Sequence, residues 1–433
     1  MLERSEAVAV GLTEPTLSGT VPEVALESRE LLEYRGQARQ WLAENMTPLT
    51  RTAAGTFEGG IPRDPNEEQL AHARTLQRRL FDAGYVGFTF PPEFGGQGLT
   101  LDHERVFLEE ATSYDVPTDV FSVSINILGR TLADFATREQ CLRYLPDLLS
   151  GKHIWVQCLS EPSGGSDLAG LLTRATRDGD GYIVNGQKTW STGANHCDFA
   201  ICAVRTDWEA PKHKGISVLV IDLHSPGVEI RPIKQIDEGA EFCEEFFTDV
   251  LVPLENRIGG ENDGWRVTRG LLEIEHEWVG RSGFGTNNVR GVDELVAVAR
   301  RNGKHLDAGV RRQIAALYVA SEVHALASMR VSGAIESGRM NPGYGSALKL
   351  GSAMLQHRRA ELGLALAGAS GVVWRDGDDL SRSWSQMLLS SRCESIAGGT
   401  NEVLRNNIAE RALGLPRERG QDRDLPFNEI LRG

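Results

Sequence analysis

The sequence predicts an α+β fold in which an N-terminal helical domain leads into a middle antiparallel β-domain and then a C-terminal four-helix bundle. Three observations predict it. Apolar residues recur at helical spacing through the first third of the chain; after Trp155 short runs rich in β-branched and aromatic residues replace them; and after Gly264 long stripes of helical period return. A chain of 433 residues is longer than one core usually serves, so several domains sharing interfaces are expected.

The first domain is expected over 26–155, behind a loose tail at 1–25. Leu31, Leu32, Ala38, Trp41 and Leu42 repeat at helical spacing, as do Leu70, Ala73, Leu76, Leu80 and Phe81. Pro62-Arg63-Asp64-Pro65 and Pro91-Pro92 punctuate these helices, and residues 104–114 and 120–136 read as two more. The β-domain is expected over 156–258. Asp178-Gly179-Asp180-Gly181 separates Thr173–Arg177 from Tyr182–Asn185 as a hairpin turn. Further strands fit Phe199–Arg205, Gly215–Asp222, Val228–Lys234 and Cys243–Val252. With no long helix between them, they suit antiparallel pairing. The bundle is expected over 259–416, with helices near 264–300, 308–337, 344–368 and 378–396 and a final one starting near Asn401. Residues 417–433 read as a tail.

Lys and Arg total 46 against 60 Asp and Glu, a net charge of −14, which argues against sequence-independent nucleic-acid binding. The cysteines (Cys141, Cys158, Cys197, Cys202, Cys243 and Cys393) form no Cys-x-x-Cys pair, so reduced structural thiols and a cytoplasmic setting are expected. No apolar run approaches the ~20 residues of a membrane span, and the first residues lack the apolar core of a secretory signal. No His-Glu-x-x-His pattern marks a metal, no Gly-x-Ser-x-Gly marks a serine hydrolase, and Gly95-Gly96-Gln97-Gly98 lacks the strand–loop–helix setting of a dinucleotide fingerprint.

Two local segments carry chemistry. Gln157 to Asp167 (QCLSEPSGGSD) is a glycine-rich loop whose backbone N–H groups can approach an anion. Asn185 to Gly193 (NGQKTWSTG) sets a Trp between hydroxyls after a hairpin, where it could cover an aromatic cofactor or sit in a core. At this separation the pair resembles the signature of the acyl-CoA dehydrogenase family, T-E-P-x-x-G-S-D followed by N-G-x-K-x-W-x-T/S. It stands here as Ser160-Glu161-Pro162 through Ser166-Asp167, then Asn185-Gly186-Gln187-Lys188 through Trp190-Ser191-Thr192. The resemblance extends to Phe90–Gly98, to Val250–Trp265 and to Ile396–Pro416, and so covers nearly the whole chain.

This resemblance implies FAD as cofactor and α,β-dehydrogenation of an acyl thioester carried by CoA or by a carrier protein. It implies an electron-transfer flavoprotein as electron acceptor. Gln157, Leu159, Ser160, Trp190, Ser191 and Thr192 match positions around the flavin ring, Gly165 and Ser166 the pyrophosphate and thioester side, and Thr400 and Glu402 the place where the C-terminal signature meets the cofactor. A planar flavin suits a stacked aromatic and fixed donors. Ser166, Glu273, His276 and Gly399 match positions toward the substrate.

The base is the departure. Many family members carry it as Glu-Gly-Thr, but this chain reads Gly398-Gly399-Thr400. A second family position lies on the first helix of the bundle, and Asp263-Gly264-Trp265 with Gly270 aligns Glu275-His276 with it. Glu275 is the expected base, unless Leu271–Glu277 is merely an acidic, solvated face. Glu273 and Glu277 lie two residues away and so off its face. His276 replaces the usual Arg, which leaves two consequences open: weaker positioning of the substrate, or a group that titrates near neutral pH. The Arg-x-x-Phe-Gly stretch of homotetrameric relatives is also missing, with Ala299, Asn302 and Gly303 in its place. This leaves a homo-oligomer and a heterotetramer with a homologous chain both open. Two other functional readings stay open: a non-catalytic partner subunit, and a flavin monooxygenase on the same fold.

Overall fold

The computed structural model describes residues 27–51, 57–58, 65–282, 288–373, 379–417, 422 and 424–430. The expected tail at 1–25 lies outside them. Helix α1 (Arg29–Asn45) is capped by Ser28, and its inner face buries Ala38 and Leu42. Two short strands, β1 (Thr50–Arg51) and β2 (Phe57–Glu58), pair before α2 (Glu67–Asp82), which starts in a capping box between Asn66 and Gln69. Then come α3 (Leu101–Ala111), α4 (Thr118–Val123), α5 (Arg130–Phe135) and α6 (Arg138–Leu149).

The helix expected at 120–136 is continuous but widens into a π turn over Ser124–Gly129 between α4 and α5. There the Ser124 hydroxyl donates to the Trp155 carbonyl at 3.0 Å and accepts from the Trp155 N–H at 2.8 Å. One side chain thus splices the helical layer to the first strand of the sheet. The π turn coincides with that splice, in keeping with the tendency of such bulges to mark functional sites.

That sheet holds β3 (Trp155–Cys158), β4 (Arg174–Asp178), β5 (Gly181–Thr192), β6 (Phe199–Arg205), β7 (Ile216–Asp222), β8 (Val228–Pro232), β9 (Phe242–Pro253) and β10 (Arg257–Ile258). Its order is β10-β7-β6-β4-β5-β9-β8, with β3 also on β6. The expected hairpin turns at Gly179-Asp180, but β5 runs on to Thr192 rather than ending at Asn185. The sheet is not wholly antiparallel: β3 lies parallel to β6, Gln157 opposite Ile201, and β4 touches β6 in the same sense. Sequence patterning does not report pairing between strands so far apart in the chain. Gly186 shows why Asn-Gly stands mid-strand, since a Cβ there would come within 2.6 Å of the Thr173 backbone.

Within the expected 264–300 helix the described residues form α7 (Gly264–Ser282) and α8 (Asn288–Arg301), and 283–287 lie outside the described residues. The remaining helices are α9 (Ala308–Glu336), α10 (Gly345–Ala367), the short α11 (Ala369–Val372), α12 (Asp379–Ser390) and α13 (Asn401–Asn407). Residues 424–430 are no loose tail, because Phe427 is buried against the β-domain. Among the described residues no helix is long and apolar enough to cross a membrane.

Candidate active site

Three elements meet at Glu275. It lies on the inner face of α7 with only 8 % of its surface exposed. The Gln157 amide, from β3, donates to its carboxylate at 3.4 Å. From the other side come Gly398 and Gly399, the loop before α13. A Cβ built on Gly398 lies 3.9 Å from Glu275 Oε1 and 3.9 Å from Lys349 Cε, so the two positions at which the resemblance places a base converge on one spot. His276 Nε2 donates to the Gly398 carbonyl at 3.1 Å. Lys349, buried on α10, donates to the carbonyls of Glu394 at 2.6 Å and Gly399 at 2.9 Å. Sequence reasoning missed Lys349; its one signal is a lysine at an inward position of an apolar helix.

Burial pushes the Glu275 carboxyl above the usual carboxylate range, while His276, the Gln157 amide and the Lys349 cation oppose that rise. Burial also pulls the Lys349 ammonium below its ordinary value. A desolvated carboxylate held among donors is the arrangement a general base requires. The acidic-surface reading therefore fails for Glu275 and holds for Glu273, which is exposed and paired with Arg269 at 3.5 Å. Two residues along a helix is about 200° of turn, so Glu273 cannot share the cleft, and its assignment toward substrate is corrected.

The glycine-rich loop is tied down from beneath. Glu161 accepts from the Leu172 and Thr173 N–H groups at 2.6 and 2.9 Å and pairs at 2.9 Å with Lys188, which also donates to the Leu159 carbonyl. These bonds and the Lys188 cation outweigh burial and hold the Glu161 carboxyl below its usual range. Glu161 and Lys188 are the Glu and Lys of the paired motif. Their role is to fasten its two halves together, and Ser160 joins in by accepting from the Thr189 N–H at 3.0 Å. Gly165 and Ser166 are left exposed at the loop's tip, and nothing stands within 4 Å of a Cβ built on Gly165.

A second fastening shapes the far half of the motif. The β5–β9 register slips between Thr189 and Ser191, and Trp190 takes φ 68°, a conformation costly for a bulky L-residue. Its indole is 58 % exposed, edge-on to Phe242 at 6.1 Å. Ser191 turns the other way. Its hydroxyl donates to buried Glu245 at 3.0 Å, so its side chain serves the sheet interior and not a surface ligand, contrary to its expected place on the cofactor. Burial raises the Glu245 carboxyl to about 8. Thr192 is exposed at the strand's end. Thr400 caps α13 by accepting from the Val403 N–H at 3.2 Å. Glu402 is 79 % exposed, 3.8 Å from Arg405.

A flavin fits this donor set on two observations. The Gln157 Oε1 atom is buried without a partner while its amide nitrogen faces Glu275, and a large aromatic is held outward in a strained conformation with little protein against it. One turn beyond Glu275, Trp278 closes a narrow cleft with Phe88, Phe90, Ile125, Asn126 and Arg130.

A glycine-rich loop, an outward indole and a buried carboxylate stand between a β-domain and a helical bundle, an arrangement that suits an oxidoreductase. Family models agree along the chain: the acyl-CoA dehydrogenase N-terminal domain matches residues 28–152, the middle domain 157–250 and the C-terminal domain 262–413. The chain belongs to the acyl-CoA dehydrogenase family and has that family's enzyme class. It is 36 % identical over 395 residues to the acyl-CoA dehydrogenase IpdE1 of Mycobacterium tuberculosis, across 90 % of this chain and 99 % of that one. It is similar in structure to the steroid acyl-CoA dehydrogenase Tcur3481-Tcur3483, with a TM-score of 0.75 and 30 % identity over 91 % of this chain and 99 % of the other. The ChsE4-ChsE5 complex of M. tuberculosis follows, with a TM-score of 0.68 and 26 % identity over 91 % and 100 %.

Proposed function

We propose that this protein is a FAD-dependent dehydrogenase that converts an acyl thioester to its 2-enoyl form, with Glu275 removing the α-proton. One observation carries the reading: Glu275 is the buried carboxylate where the cofactor-side strand, the first bundle helix and the Gly398–Gly399 loop meet. FAD, when bound, supplies the acceptor for the β-hydride. Glu275 takes the proton, Gln157 and Lys349 restrain and polarise its carboxylate, and the Gly398 and Gly399 carbonyls are fixed by His276 and Lys349. Gln157, Leu159, Ser160, Trp190 and Thr192 border the cofactor, Gly165 and Ser166 face its phosphates and the thioester, and Thr400 and Glu402 stand at the C-terminal signature. The electron acceptor is an electron-transfer flavoprotein, and the setting is the cytoplasm. Glu275→Gln is expected to keep bound FAD and lose at least about a thousandfold in kcat, with anaerobic flavin bleaching by acyl-CoAs abolished. Bleaching by Glu275→Gln at the wild-type rate would remove the carboxylate from the mechanism.

The acyl group is proposed to be ring-bearing. The likeness to a steroid acyl-CoA dehydrogenase, Tcur3481-Tcur3483, supports this choice.

The assembly is proposed to be a heteromer with a homologous chain. Ala299 is buried, Asn302 bonds back to the Val298 carbonyl and Gly303 closes α8, so none of these three offers a long side chain to a neighbouring subunit. Two solved relatives, Tcur3481-Tcur3483 and ChsE4-ChsE5, are pairs of proteins. An exposed apolar stripe on α9 (Val319, Val323, Leu326, Met329) offers a contact face. The purified chain is expected to reach full flavin content only with its partner; a lone chain that binds stoichiometric FAD and turns over at the same rate would refute this.

A further inference from the structure

The 424–430 segment lies beyond residues 262–413, the stretch matched by the family's C-terminal domain, yet it is seated firmly on the β-domain. The Phe427 N–H donates to the Ala210 carbonyl at 3.0 Å and the Asn428 N–H to the Trp208 carbonyl at 3.0 Å, while Pro426 bridges Pro211 in antiparallel sense. The Phe427 ring is 2 % exposed and packs 5.5 Å from the Trp208 ring. Over its face, 3.7 Å from the centroid, lies the guanidinium of Arg205.

Arg205 ends β6 with no surface exposed, and its donors point at the glycine-rich loop. Nη2 donates to the Ala169 carbonyl at 2.6 Å and to the Leu171 carbonyl at 3.5 Å, Nη1 donates to the Lys212 carbonyl at 2.7 Å, and the Arg205 N–H donates to the Thr173 carbonyl at 2.7 Å. Lys212 in turn reaches Asp167 at 2.7 Å. The loop from Glu161 to Thr173 therefore has two anchors. Glu161 with Lys188 holds it from within the sheet, and Arg205 holds its outer limb, with Phe427 closing the guanidinium off from water. A fork-shaped cation needs a fixed plane to aim several bonds at carbonyls, and an aromatic face supplies that plane.

We propose that Phe427 and Arg205 are positioning residues: the 424–430 segment is a strap that sets the conformation of the 163–171 loop and thereby the enzyme's hold on the phosphate-bearing cofactor and thioester substrate. The proposal rests on the functional reading above only for what the loop binds; the coupling between strap and loop stands apart from it. The variants are Phe427→Leu, which keeps apolar bulk but removes the ring, Phe427→Tyr, which keeps the ring, and Asn428→Pro, which removes one strap hydrogen bond without emptying the pocket. Each is studied as full-length holoenzyme by hydrogen exchange, FAD titration and steady-state kinetics with an acyl-CoA the wild type oxidises. Phe427→Leu is expected to speed amide exchange across 163–173 while leaving β7 and β9 unchanged. It should raise KM and the FAD dissociation constant roughly tenfold with kcat nearly kept, in line with loss of a desolvated cation–π contact. Phe427→Tyr should restore wild-type values, and Asn428→Pro should follow Phe427→Leu if the latter folds poorly. Exchange that rises evenly over the whole sheet, or wild-type KM and loop protection in Phe427→Leu and Asn428→Pro, overturns the proposal. A wild type that binds no FAD and bleaches with no thioester would sink the functional reading instead, while the exchange comparison still decides whether the strap governs the loop.

Discussion

At the scale of single residues the site turns on how a buried carboxylate is kept usable. Removing Glu275 from water favours its protonated form, and the groups that face it (His276 from α7, Gln157 from β3 and Lys349 from α10) pull in the opposite direction. The reacting form is the carboxylate, so kcat/KM is expected to fall on the acid side as pH drops through the raised Glu275 value. Lys349→Met removes one opposing cation and raises that value further; the acid limb of the kcat/KM profile should move upward by about one pH unit. Lys349→Arg keeps the charge and should leave the limb near its original place while disturbing the clamp on Glu394 and Gly399. An acid limb unmoved in Lys349→Met would mean that this ammonium does not act on the base. Glu245 is the contrasting case. Its carboxyl, raised to about 8 by burial, accepts from the Ser191 hydroxyl inside the sheet, where it ties β5 to β9.

At the scale of elements, the legible features were those with local causes. Apolar periodicity located the long helices, and β-branched runs located β6, β7 and β9 within a residue or so of Phe199–Arg205, Ile216–Asp222 and Phe242–Pro253. Glu275 stood out because the expected glutamate was missing at Gly398 and one other acidic residue aligned with the alternative, and the structure shows it buried beside Gly398. Features with distant causes were hidden. The π turn at Ser124–Gly129 coincides with the splice to Trp155, on a different layer. The parallel seat of β3 on β6 depends on a partner strand more than forty residues on. Ser191 looked like a cofactor hydroxyl because it adjoins Trp190, but the bulge in β5 reverses its direction toward Glu245, a residue on another strand. Glu161 and Lys188 stood in plain view as motif letters, and only the folded loop shows that they pair. Arg205 and Phe427 carry no local signal at all, since one buried arginine and one aromatic near the end of the chain become a unit only when the strap docks.

At the scale of the whole molecule, α7 is the seam on which the site is built. Val267 and Leu271 of α7 belong to one apolar cluster with Leu42, Leu128, Leu145, Trp155 and Val218, joining the first helices, the sheet and the start of the bundle. The rest of the bundle has a core of its own around Leu295, Val298, Leu317, Leu366 and Trp384. Glu275 projects from the seam, whereas Lys349 lies on α10, a helix whose other end (Leu366 and Ala367) belongs to the second core. Gly363 of α10 provides a selective lever, because a Cβ there would come within 1.9 Å of the Trp384 ring. Overpacking of this kind costs about 1–3 kcal/mol when the surroundings shift to accommodate it. Gly363→Ala is therefore expected to lower amide protection in α8, α9, α10 and α12 and to slow turnover through displacement of the Lys349 clamp. Protection in β5, β6 and β7 should stay at the wild-type level. Hydrogen exchange read by peptide at low urea measures both groups at once. Equal loss in the bundle and the sheet would show instead that the chain opens as a single cooperative unit, with α7 transmitting strain across the seam.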